Sequence, residues 1–137
     1  SAGAKLSPDE AGELFAKICV LNDARTAKPK AAATKLGFKK EDATKLHSDS
    51  LNADVSVVDV NGAGLCALVF LPAGSDESFG RFLGQIKGMK KTSGNASYLY
   101  NGNGQRSASF ARIGDGYPDK ARVYMMMVGK NAEAYDK

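Results

Sequence analysis

The sequence predicts an α+β domain in which two N-terminal helices precede a β-β-α-β-β-β run, the strands forming one five-stranded antiparallel sheet packed by the helices. Three observations predict it. Apolar residues near the N-terminus recur at three- and four-residue spacing. Asn61-Gly62 stands between the runs Val55–Val60 and Leu65–Leu71, a strong short hairpin signal. The last third alternates strand-like runs with segments rich in turn residues.

Ser7-Pro8-Asp9-Glu10 reads as a helix start: Ser7 can cap, Pro8 suits the first helical position and Glu10 closes a capping box. Ala11, Leu14, Phe15, Ile18 and Leu21 then form an apolar stripe, with Cys19 on its edge pointing towards the core. Lys28-Pro29 opens a second helix through the alanine run to Leu36, and Gly37-Phe38 matches a Schellman stop. Glu41 to His47 reads as one further helical turn and Ser48 to Asp54 as loop. The run Leu65 to Leu71 is apolar on both faces, which predicts a central or covered strand.

Ser75-Asp76-Glu77 starts a third helix with the stripe Phe79, Phe82, Leu83, Ile86 and Met89, and Lys87, Lys90 and Lys91 complement the dipole at its end. Three strands follow, over Ala96–Tyr100, Gln105–Ile113 and Ala121–Val128, joined by the turns Asn101–Gly104 and Gly114–Asp119. In the last of them Ala121, Val123, Met125 and Met127 share one face, and Met125 to Met127 read as core. The order resembles the profilin-like, PAS-like and roadblock/longin architectures, which implies a fold that mostly hosts ligand or partner binding.

At 137 residues the chain fits one domain, residues 1–137, and 43% hydrophobic with 25% charged residues excludes a disordered class. No stretch of some 20 apolar residues occurs, so no segment reads as a membrane span. A net charge of +4 is within ordinary solubility and too small to favour nucleic acid as partner. Ser1 to Lys5 are small and polar, as after removal of a signal peptide, which predicts export to a periplasm or the medium. Cys19 and Cys66 stand too far apart for C-x-x-C chemistry, and with a single histidine no Cys/His metal cluster can assemble. Two buried thiols or one disulfide remain, and the sequence favours the Cys19–Cys66 bridge.

Gly80, Gly84 and Gly88 would form a smooth strip on the third helix, either a groove for a ligand or a site of close internal packing. Lys87, Lys90, Lys91, Arg106, Arg112, Lys120 and Arg122 could share a basic surface, Arg106 and Arg112 on one strand face with Ala108 and Phe110 between them. Asn101–Gly104 lacks the following helix and the lysine of a phosphate loop, and Asp115–Asp119 has too few oxygens for calcium. His47 reads as a cap or a surface residue. Asn95-Ala96-Ser97 is a glycosylation acceptor pattern. Ser93-Gly-Asn-Ala-Ser-Tyr98 is similar to the Ser-Gly-x-Ala-x-Tyr stretch of periplasmic lysozyme inhibitors, and Gly129-Lys130-x-Ala132 to their second motif. That resemblance implies an inhibitor, though the helix-rich first half departs from those all-β barrels.

The function expected is that of a small exported binding protein without catalysis, using the exposed sheet face and the loops 92–105 and 114–120. Tyr98, Tyr100, Arg106, Arg112 and Tyr117 are the candidate binding residues, because Tyr and Arg are favoured at hot spots. No catalytic residue, cofactor or metal is assigned, and the partner is a protein or a small ligand. The alternatives are a periplasmic enzyme inhibitor, a cytoplasmic roadblock-type scaffold with free cysteines, and an enzyme with a converging carboxylate pair.

Overall fold

The first helix starts where its capping chemistry places it. In the computed structural model, which describes residues 3–92, 97–100, 103–113 and 120–130, the Glu10 amide donates to Ser7 Oγ at 3.1 Å and the Ser7 amide donates back to Glu10 Oε1 at 3.0 Å. This helix, α1 (Pro8–Phe15), runs into a π-helical turn, Ala16–Val20, closed by the Leu21 amide on the Ala16 carbonyl at 3.0 Å. The wider turn sends Ile18, Cys19 and Val20 inward in succession, which a regular helix would not do. Leu21, expected in the core stripe, is consequently 72% exposed.

The second helix, α2 (Lys28–Lys35), stops on the expected Schellman motif, with Phe38 N–H on the Ala33 carbonyl and Gly37 N–H on that of Thr34. Eight strands follow instead of five: β1 (Lys39–Lys40), β2 (Lys45–Ser48), β3 (Ala53–Val60), β4 (Ala63–Phe70), β5 (Met89–Lys91), β6 (Ser97–Tyr100), β7 (Asn103–Arg112) and β8 (Arg122–Val128). Their spatial order is β1-β2-β3-β4-β8-β7-β6-β5, and every neighbouring pair is antiparallel. The sheet therefore departs from the five-stranded profilin-, PAS- and roadblock-like arrangement. The chain order differs as well: a hairpin precedes β3, and a short strand follows the third helix.

Both corrections have local causes. The segment Glu41–His47 is not a helical turn, because the Asp42 carboxylate accepts from the amides of Thr44 (2.9 Å) and Lys45 (3.0 Å). That side-chain turn reverses the chain between β1 and β2. Ser48 then closes β2 and Ala53-Asp54 open β3, so the expected loop shrinks to Asp49–Asn52. The third helix, α3 (Asp76–Leu83), is capped by Ser75 Oγ as expected but ends at Gly84 instead of the lysines. Beyond it the amides of Gln85 and Ile86 bond three residues back, and Gly88, at φ 94, turns the chain into β5. Gly80, Gly84 and Gly88 thus form no continuous helical strip.

The Asn61-Gly62 turn joins β3 to β4 with both residues at positive φ, as a two-residue hairpin requires. Between β3 and β8, β4 lies at the centre of the sheet, in keeping with its apolar faces. Helices α1, α2 and α3 pack against one face, where Val55, Leu68, Phe70, Tyr124 and Met126 are buried. A smaller cluster of Ala67, Val69, Ala121 and Val123 lies on the alternate residues, the opposite face. Met126 is core as expected, whereas Met127 on that opposite face is 54% exposed. Gly64 in β4 carries the backbone of Ala24 and Arg25 so closely that a Cβ there would meet the Ala24 carbonyl carbon at 2.8 Å.

Cys19 of the π turn and Cys66 of β4 form a disulfide across 47 positions, with Cα atoms 5.4 Å apart and both residues fully buried. By the loop-closure argument the bridge is worth about 4 kcal/mol. The double variant Cys19→Ala/Cys66→Ala should accordingly lose about that much in urea unfolding under non-reducing conditions. An unchanged midpoint would show that the helix–sheet contact needs no covalent support.

Candidate functional site

Two buried tyrosines fix α3 over the sheet. Tyr124 of β8 donates its hydroxyl to the Phe79 carbonyl at 2.7 Å, and Tyr98 of β6 donates to the Gly80 carbonyl at 3.2 Å. Burial pushes the Tyr124 phenol far above its ordinary pKa, so it stays a donor. Phe79 stacks on Phe110 of β7 with centroids 5.6 Å apart and an interplanar angle of 9°. At the helix start, Arg122 Nε donates to Asp76 Oδ1 at 2.6 Å. This guanidinium holds the Asp76 carboxyl below its usual pKa.

The outer side of α3 and the strands beneath enclose a half-open cleft of about 520 Å³. Its apolar floor is Tyr98 and Phe110, and Gly80 leaves the helix wall without a side chain. Arg81, Lys91 and Arg112 bring three cations to the rim, and Asp76 and Glu77 two carboxylates. The size lies within the range of small-ligand sites, and the lining combines an apolar base with a few polar groups.

Of the five candidate residues, the structure brings Tyr98 and Arg112 together in this cleft. Arg106 lies six residues from Arg112 on β7, about 20 Å away in an extended strand. There it sits over the Tyr100 ring at 5.8 Å, near Asp23, as a separate cluster. Tyr117 lies outside the described residues, as do residues 93–96, 101–102 and 114–119 of the two loops, including Asp115–Asp119 and the glycosylation pattern's Asn95. The placement on the exposed sheet face needs correction: Tyr98 is buried on the helix-covered side, opposite the fully buried Ala108. Arg112 shares the strand parity of Ala108 and Phe110. Arg122, expected on a basic surface, is buried against Asp76.

Sequence reasoning passed over Phe110, Arg81, Asp76 and Glu77 as ligand contacts. The two-residue period that puts Phe110 beside Arg112 was a usable signal for the first. Nothing local announces that residue 76 meets residues 112 and 122.

Nucleophile–base chemistry finds no support among the described residues. His47 lies in β2, not at a helix end, with Nδ1 2.6 Å from Asp54 and Nε2 2.9 Å from Asp49, so both ring nitrogens are engaged by carboxylates. Ser48 Oγ instead accepts from the Leu51 amide at 3.2 Å. In the cleft, Asp76 and Glu77 are consecutive helical residues and diverge by about 100°. Glu77 is 86% exposed and Asp76 is held by arginine, so neither is the desolvated carboxyl that general acid catalysis uses.

The hydrogen bond that His47 donates to Asp54 raises the His47 pKa, and the Asp54 and Asp49 charges add to it. A raised folded-state pKa means the imidazolium stabilises the fold fully below about 6.5 and loses that contribution as pH rises through the folded value. The stability difference between wild type and His47→Gln should therefore shrink between pH 5.5 and pH 8.5. An NMR titration of His47 with a midpoint at or below 6.5 would contradict the ion pairs.

No helix among the described residues is long and apolar enough to cross a membrane, and no group of three metal-ligating side chains is found among them. No family model, no curated protein and no solved structure matches this chain.

Proposed function

We propose that this chain is a small exported binding protein, without catalysis, whose ligand site is the cleft between α3 and strands β5 to β7. The observation that carries the reading is the cleft itself: an aromatic floor held rigid by Tyr98 and the Phe79–Phe110 stack, with charged side chains at the rim. Binding sites need a rigid floor because ordering it on association costs affinity. The fully buried Cys19–Cys66 bridge supports an oxidising compartment.

The alternatives fare less well on particular residues. A roadblock-type scaffold requires free cysteines and an available edge or helix. Here the cysteines are bridged and both sheet edges end in lysine pairs, Lys39-Lys40 and Lys90-Lys91, which discourage strand addition. Of the inhibitor-like stretch, residues 93–96 lie outside the described residues and the Tyr98 ring is buried under α3, which does not favour that reading. A carboxylate-pair enzyme would need a pair other than Asp76 and Glu77, which diverge on α3.

Two measurements test the proposal. Protein from its native source, denatured under alkylating and non-reducing conditions, should take up no label; two labelled thiols would remove the exported reading. A ¹H–¹⁵N correlation screen with small-molecule mixtures should shift the amides of Gly80, Arg81, Lys91 and Ala111 together. Hits that never move these amides would remove the cleft as the site.

A further inference from the structure

The ligand class follows from how the cleft's charges are distributed. Asp76 is already engaged: Arg122 holds it with Nε at 2.6 Å and Nη2 at 3.4 Å, and the Arg122 side chain is only 10% exposed. The two charges cancel within a fixed pair. What remains towards solvent is Arg81, Lys91 and Arg112 against Glu77 and the open part of Asp76, whose side chain is 44% exposed, so the rim keeps a net positive charge.

Each of the three can reach a ligand. Arg112 forms only a loose ion pair with Asp76 at 3.7 Å, and its side chain is 75% exposed, so a ligand can compete for it at little cost. Its planar fork matches a carboxylate or sulfonate in bidentate fashion. Arg81 meets Glu77 at 4.0 Å, both exposed, an i,i+4 contact that a ligand can displace at little cost. Lys91 has no ion-pair partner among the described residues.

Below this rim the chemistry changes. Phe110 presents ring surface beside the edge of the largely buried Tyr98, whose hydroxyl is committed to Gly80, so the floor offers no spare donor to a polar group. An occupant must place an apolar, preferably flat, body on the floor and a negative group at the rim. We infer that the cleft binds a small amphipathic anion, a carboxylate or sulfonate carried on an aromatic or compact apolar body. This rests on the cleft being the binding site. A polyanion is a poorer fit, since three cations in one pocket offer no track for successive phosphates.

The test uses two probes with one aromatic skeleton, 8-anilinonaphthalene-1-sulfonate and its uncharged counterpart N-phenyl-1-naphthylamine. Each is titrated into the full chain by ¹H–¹⁵N correlation spectroscopy and fluorescence. Both should move the cleft amides, and the sulfonate should bind at least about tenfold tighter at low salt. Arg112→Gln combined with Lys91→Gln should bring the two affinities within about twofold while leaving the neutral probe unchanged. Both substitutions are at exposed rim positions, so an unaltered spectrum of the variant establishes its fold. Equal affinities in wild type, at the cleft, would overturn the anion inference and leave the site standing. Shifts confined elsewhere, for example around Leu65 and Met127 on the opposite face, would overturn the site as well.

Discussion

Tyr124 stands where the two helices that flank the cleft side of the molecule meet the sheet. Phe15 of α1 lies 5.2 Å from its ring, Phe70 of β4 5.5 Å, Phe110 of β7 5.3 Å and Phe79 of α3 6.3 Å. A phenol buried among four phenylalanines must find an acceptor, since an unsatisfied buried hydroxyl costs on the order of 1–3 kcal/mol. The Phe79 carbonyl supplies it, and the next carbonyl along α3 takes the hydroxyl of Tyr98. Two rings on different strands thereby grip consecutive peptide units of one short helix. That grip sets the height of α3 above β7, and with it the width of the cleft.

Arg122 and Asp76 fix the other coordinate. The arginine is buried beside the end of β4, paired in register with Phe70, and the carboxylate belongs to the first turn of α3, where the helix dipole already favours a negative charge. A partly buried pair of this kind adds little net stability once desolvation is counted. Its larger consequence is directional, because it holds the start of α3 to the sheet and partly offsets the Asp76 charge at the rim.

Much of this was legible locally and little of it globally. The capping box at Ser7, the Schellman stop at Gly37 and the Asn61-Gly62 hairpin depend on three or four neighbouring residues, so their sequence signals carry over directly. Two cysteines allow a single intramolecular pairing, Cys19 with Cys66. The β1–β2 hairpin was missed because Lys39–Ser48 lacks β-branched alternation and reads as helical by propensity, while the Asp42 side chain decides the turn. The π turn was equally silent: it moves Leu21 out of a stripe that regular spacing would keep. For the site, Tyr98 and Arg112 were picked on composition, and only the β6–β7 pairing under α3 makes them neighbours. Gly80, considered as part of a possible groove, does line the cleft, although the three-glycine strip that suggested it does not exist as a helix.

The position of the cleft also explains why glycine and lysine crowd this part of the chain. Shortening α3 at Gly84 and reversing at Gly88 brings Met89–Lys91 back as the outermost strand, and only that return places Lys91 opposite Arg112. Had the helix continued along its apolar stripe to Met89, the edge would be β6 and the rim would lose its third cation. An outer strand is also where lysine protects the sheet from adding a further strand. The same residue run thus closes the sheet edge and completes the rim, and a charge that serves the first purpose on any surface acquires the second because the glycines bend it over an aromatic floor.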